Sequence, residues 1–263
     1  MPTPEHLHRF WRALDACLGR VEATWWGAVV TDGRFPAVWD ANYARIDEPA
    51  SDVSLDDVAA ALVPALDRSG TEVFHTVMFY PEETKGLLTE LSTLGHTLSW
   101  DLVMERTGSP SIAVDTAIVE ELEIGTELWG RVGASMELFG IESDVALQLR
   151  SIEEVLPSAG GKRWFGIRDL QDVLISLAAL VVLEDVGYVD NVATFPLGRG
   201  KGCASALTAR LVDEALTSGA RHVCLLADPD DTVVVRMYER LGFRDVGRLA
   251  STKGPLPRRW APS

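Results

Sequence analysis

The residues most able to do chemistry form a glycine-rich turn, Pro196-Leu197-Gly198-Arg199-Gly200-Lys201-Gly202-Cys203-Ala204. An apolar, β-branched stretch, Val173 to Thr194, precedes it. A helical pattern follows, with Ala204, Leu207, Leu211 and Ala215 on one face. Such a turn aims unpaired backbone N–H groups and the positive end of a helix at one point, which is a phosphate site. Arg199 and Lys201 add positive charge there. The turn lacks the G-x-x-x-x-G-K-[ST] of the common nucleotide loop. It also fails the G-x-G-x-x-G fingerprint of dinucleotide folds, because Ser205 stands at the last glycine.

What the turn does contain is Arg-x-x-Gly-x-Ala, at Arg199, Gly202 and Ala204. Downstream come a buried strand (221–227), an acidic turn from Asp228 to Asp231, and a helix bearing Tyr238-Glu239-Arg240-Leu241-Gly242-Phe243. This order resembles the acyl-CoA pyrophosphate loop and Tyr-x-x-x-Gly-Phe helix of the GNAT superfamily of N-acetyltransferases, over roughly residues 185–247. The resemblance implies acetyl-CoA as co-substrate, held by Arg199, Gly200, Lys201, Gly202, Cys203 and Ala204. Pantetheine would lie along Val192, Ala193 and Thr194, in a gap where two strands splay apart. Tyr238 would protonate the departing thiolate: a free phenol has a pKa of about 10 and a thiol about 8.5. Asp190, on the strand entering the loop, is the implied general base, with a water chain as the alternative. Strand alternation would put Asp190 and Val192 on one face and Asn191 and Ala193 on the other. Asp231 stands where the family often has a pantetheine-binding Asn, and N-capping is its other reading.

Several residues carry a chemical and a plain reading side by side. Glu184 and Asp185 are further base candidates, or part of a solvated loop. Cys203 is a nucleophile if the helix end depresses its pKa, or simple packing. Trp129, Trp164 and Phe165 line an acceptor pocket or fill the core. The three cysteines, Cys17, Cys203 and Cys224, form no disulfide framework and have no metal-ligand spacing, so no metal is expected.

The rest of the chain must position these groups. Its 263 residues, 47% hydrophobic and 24% charged, suffice for two cores. The net charge of −15 disfavours nucleic acid and suits a cationic or amine-bearing acceptor, a small molecule or a peptide. No apolar run reaches membrane-span length, and Met1 to Arg12 holds no secretory core, so a cytoplasmic location without membrane is expected. A second copy of the chain is a candidate partner.

The first half echoes the second. A strand from Glu72 to Tyr80, a helix ending in Leu94-Gly95 and a strand from Thr97 match the downstream order at an offset of 147. Ala37 to Ile46 would be the strand before the loop and Ser54 to Leu66 its helix, with Ser54 as N-cap. Yet the loop itself is replaced by Glu48-Pro49-Ala50-Ser51-Asp52, whose carboxylates would repel a pyrophosphate, and Leu91 stands at the place of Tyr238. The expectation is an α/β fold of two GNAT-like domains in tandem, each a mixed, mostly antiparallel sheet flanked by helices. Residues 1–108 would be a degenerate copy and 109–263 the acetyltransferase, divided at Thr107-Gly108-Ser109-Pro110. In the second domain, helices are expected at Thr126 to Leu138 and Ser143 to Leu156, with a turn from Pro157 to Gly161. The implied reaction is direct attack of an amine on acetyl-CoA in a ternary complex. A mycothiol-synthase-like acetyltransferase and a non-catalytic acyl-CoA sensor share the same motifs.

Overall fold

The chain divides into two compact units, Met1–Leu102 with Val246–Ser263, and Val103–Asp245. The computed structural model describes residues 3–138, 140, 141 and 143–256. In the first unit, α1 (Glu5–Asp15) is followed by β1 (Arg20–Thr24), β2 (Gly27–Thr31), β3 (Tyr43–Ile46), α2 (Leu55–Ser69), β4 (Val73–Met78) and α3 (Lys85–Thr93). β5 (Thr97–Arg106) passes from the first unit into the second. The second unit continues with β6 (Glu120–Glu121), α4 (Thr126–Leu138), α5 (Ser143–Gly160), β7 (Arg163–Arg168), β8 (Leu174–Leu183), β9 (Val186–Thr194), α6 (Cys203–Thr217), β10 (His222–Ala227) and α7 (Thr232–Arg240). β11 (Phe243–Pro255) returns to the first unit from Val246.

Strand order is β1-β2-β3-β4-β11 in the first unit and β10-β9-β8-β7-β6 in the second. Both runs of strands are mixed: β3 runs parallel to β4 and β9 parallel to β10, among antiparallel neighbours. Helix α2 buries Val58, Leu62 and Leu66 in a core with Trp26, Phe74 and Met78. In the second unit Leu128, Trp129 and Val132 of α4 pack on Trp164, Leu177, Ala193 and Phe195. This settles the tryptophan and phenylalanine readings. Trp129 and Trp164 meet edge to face at 6.2 Å, and Phe165 is fully buried, so all three are core.

Four expectations change. Ala37 to Ile46 is not one strand: a 3₁₀ turn spans Trp39–Ala41, and only Tyr43–Ile46 is extended. The buried amide of Asn42 explains this, since it donates to the carbonyls of Phe35 and Val38, both at 2.9 Å, and holds the chain in turns. Pro157 does not end its helix either. α5 runs on to Gly160 and stops where Gly161 turns left-handed (φ +65°), with the Lys162 N–H closing on the Leu156 carbonyl. The expected strand within 111–123 shrinks to Glu120–Glu121. Finally, the units divide at Leu102/Val103 rather than at residue 108, and the chain's last strand joins the first unit, where Ala250 to Pro255 pair with Met78 to Val73.

Candidate active site

The pairing of β9 with β10 is short. Val186, Gly187 and Tyr188 align with His222, Val223 and Cys224, and the register ends there. Beyond it, β9 runs on to Thr194 and β10 to Ala227, so the facing edges from Val189 and Leu225 onward are released from each other. Released edges present N–H and C=O groups to anything extended that enters between them.

Within the released part lies a β-bulge. Leu177 aligns with Ala193 but Ala179 with Asp190, so Ala178 faces two residues, Asn191 and Val192. Asn191 takes φ +50°, a left-handed conformation uncommon outside glycine, and its N–H bonds the Asp190 carboxylate at 2.8 Å. The bulge overturns the expected alternation. Asp190 and Asn191 do not point to opposite faces: the Lys162 ammonium donates to Asp190 at 2.7 Å, and the Asn191 amide donates to Glu153 at 3.1 Å in the same cluster. Ala193 is buried, with its carbonyl bonded by Ser176, while Val192 and Thr194 are half-buried.

β9 leads through a 3₁₀ turn, Pro196–Gly198, into the glycine-rich loop. A side chain on Gly198 would meet the Ile175 carbonyl at 2.7 Å, so the loop can approach the sheet only with glycine there. Gly202 is the N-cap of α6 at φ +78°; it offers no side chain to the first turn, which also carries no acidic residue. The first amides of a fifteen-residue helix are therefore left for an outside acceptor. A Cβ on Gly200 or Gly202 would meet nothing within 4 Å, so the space before the loop is open. Arg199 and Lys201 are exposed beside it. Cys203 is buried and burial pushes its thiol up, against the pull of Lys201, which makes it packing and not a nucleophile.

Tyr238 on α7 is 5% exposed, packs against Phe243, and has its phenol pushed up to about 12, mainly by burial and then by the charges of Asp231 and Asp190. It is thus a protonated donor across the physiological range. Asp231 caps the same helix by accepting from the Val234 N–H at 3.0 Å. Glu184 and Asp185 form the β8–β9 hairpin turn, where Asp185 pairs with Arg221. That turn stands at the opposite end of β9 from the loop.

The sequence reading missed two residues, Glu153 and Lys162. Lys162 lies just after the Gly161 turn, and its side chain is 1% exposed between Glu153 (2.6 Å) and Asp190 (2.7 Å). Their only sequence trace is a lysine entering an apolar strand and a glutamate among the helical positions of α5.

In the first unit the elements at the 147-residue offset differ at the start of the helix and between the parallel strands. α3 and α7 are nine residues each and start 147 positions apart; both end in Leu-Gly with the glycine left-handed, Gly95 at +86° and Gly242 at +91°. But the first turn of α2 is filled by its own capping box: Ser54 accepts from the Asp57 N–H and Asp57 from the Ser54 N–H, with Asp56 beside them. β3 also stays paired with β4 to its last residue, Ile46 with Met78, and the Phe79 N–H then bonds the Ile46 carbonyl at 3.0 Å. No gap opens between those strands. Leu91 is buried in the core.

The second unit thus combines a mixed sheet with one splayed parallel pair, a bulge at the splay and an uncapped glycine-rich helix entry. Residues 136–243 match the profile of the acetyltransferase (GNAT) family. No curated protein matches the chain. Among solved structures, a conserved protein of unknown function from Staphylococcus epidermidis is similar at 12% identity, TM-score 0.68, over 87% of this chain and 90% of its own. A GCN5-related N-acetyltransferase from Kribbella flavida is similar over 95% of both chains at 18% identity and TM-score 0.58. Another, from Sphaerobacter thermophilus, is matched at 17% identity and TM-score 0.50 over 74% of this chain, which spans 66% of that protein. These likenesses show the GNAT fold. No helix among the described residues is long and apolar enough to cross a membrane.

Proposed function

We propose that Val103–Asp245 transfers an acyl group, acetyl in the first instance, from acyl-CoA to the amine of a small molecule or peptide. The observation that carries this reading is the end of β9–β10 pairing at Tyr188 and Cys224, which opens a slot leading to the uncapped start of α6. Amides of the Arg199–Ala204 segment would receive the pyrophosphate, with Arg199 and Lys201 adding charge. The β9 edge from Val192 to Thr194 would bond the pantetheine arm as a strand would. In this scheme Asp190, whose side chain is 33% exposed, takes the proton of the incoming ammonium. The freed nitrogen attacks the thioester carbon, a C–N bond forms, the C–S bond breaks, and the thiolate takes the Tyr238 proton. The nitrogen sheds its second proton, which restores Tyr238 through solvent, Asp190 passes its proton to water, and an amide and free CoA leave. Asp231 serves α7 as its cap, and a pantetheine contact through its remaining carboxylate oxygen is compatible with that role.

The first unit, in this reading, is a degenerate copy that holds no acyl-CoA. The Asp57 amide of its α2 is already capped by Ser54, two aspartates stand in that first turn, and its parallel strands are closed. The test of the function is CoA release from acetyl-CoA across a panel of primary amines, polyamines and peptide N-termini. The expected outcome is turnover with at least one cationic amine. Firm acetyl-CoA binding with no acceptor turned over would instead favour a binding module.

A further inference from the structure

At the bulge, carboxylates from two elements close on one ammonium. Lys162 opens the approach to β7 and reaches Glu153 of α5 at 2.6 Å and Asp190 of β9 at 2.7 Å, while the Asn191 amide holds the other Glu153 oxygen at 3.1 Å. The Lys162 side chain is 1% exposed, Glu153 11% and Asp190 33%, so Asp190 is the member that meets the outside. Two carboxylates around one ammonium leave an excess negative charge in a largely buried place, which one proton would neutralise. If Asp190 took that proton alone with Lys162, the ammonium would be stranded; Glu153 keeps it paired.

We propose that Asp190, Lys162 and Glu153 act together as the proton acceptor for the amine, with Asp190 meeting the substrate and Lys162 and Glu153 as positioning residues. This rests on the acyl-transfer reading above. The step balances: the ammonium N–H bond breaks, the proton bonds an Asp190 oxygen, and the electron pair stays on nitrogen for attack. The cluster passes from one net negative charge to none while the Lys162–Glu153 pair persists. Burial drives the Glu153 carboxyl above its usual range, with Asp190 adding to this and Lys162 opposing it. The carboxylates keep Lys162 charged despite its burial. From α7, the Tyr238 phenol feels the charges of Asp190 and Asp231, and the Trp164 ring lies 5.2 Å from the ammonium.

Two substitutions should move that titration in opposite directions. Lys162→Met removes the positive charge, so the two carboxylates hold a shared proton to higher pH, and the acid limb of kcat/KM should move up by about one unit or more. Glu153→Gln leaves Lys162 to Asp190 alone, which should move the limb down and lower the plateau, because the base is weaker. Lys162→Arg should restore the wild-type limb. Carbon-detected NMR titration of the Asp190 carboxyl reads the same opposed shifts without any acceptor, and Glu153→Gln decides the matter if Lys162→Met does not fold. Shifts in the same direction, or none, would overturn the proposal. The rise in Tm with acetyl-CoA should persist in all folded variants. Its absence from the wild type would sink the acyl-CoA reading itself, which separates the two failures.

Discussion

Gly202→Glu should abolish the rise in Tm that acetyl-CoA gives the wild-type protein. The new carboxylate would stand at the N-cap of α6, where the helix amides and the helix's positive end await a phosphate. It would both repel the pyrophosphate and cap the amides itself, as Asp57 and Ser54 do at α2. A ligand at a hundredfold excess over Kd stabilises by about 2.7 kcal/mol, so the wild-type shift should be easy to read. The side chain has room, since a Cβ there meets nothing within 4 Å, but φ +78° costs a non-glycine residue about 1–2 kcal/mol. The shift is therefore measured against the variant's own unliganded Tm. An intact shift would mean that the pyrophosphate lies elsewhere.

Tyr238→Phe should lower kcat by roughly 10²–10⁴-fold, the usual worth of a positioned acid. The ring keeps its packing against Phe243, so fold and acetyl-CoA affinity should hardly change. KM for acetyl-CoA should likewise stay put, because the lost proton acts after attack begins. Because burial holds the phenol at about 12, ionisation of Tyr238 should not limit turnover at any pH below about 11. The deficit should shrink with acyl donors whose thiols have lower pKa values, which need less help to leave. Near-wild-type turnover would make Tyr238 packing and hand the proton to water; lost acetyl-CoA binding would make its hydroxyl a ligand contact.

Local pattern carried much of this fold. The glycine-rich turn, the periodic apolar face of α6 and the Ser54 cap are written in neighbouring residues, and each stands where the sequence placed it. The bulge was invisible because an inserted residue leaves an apolar strand looking like any other. Asn191's conformation is set by β8, through the alignment of Ala178, and not by its own type. Lys162 was missed for a related reason: its partners lie on α5 and β9, and a lysine at a strand entry reads as exposed until both carboxylates are brought to it. Asn42 and Pro157 show the same limit. One side chain bonding distant carbonyls broke an expected strand, and a glycine four residues on ended a helix that proline was expected to end.

Counting acetyl-CoA per chain by titration calorimetry tests the central claim most directly. The splayed strands and uncapped α6 stand in one unit, while the other has a capped α2 and closed strands. One equivalent per chain is the predicted result, falling to none in Gly202→Glu. Two equivalents would contradict the reading of the first unit as a copy without a site, and none in the wild type would contradict the site itself.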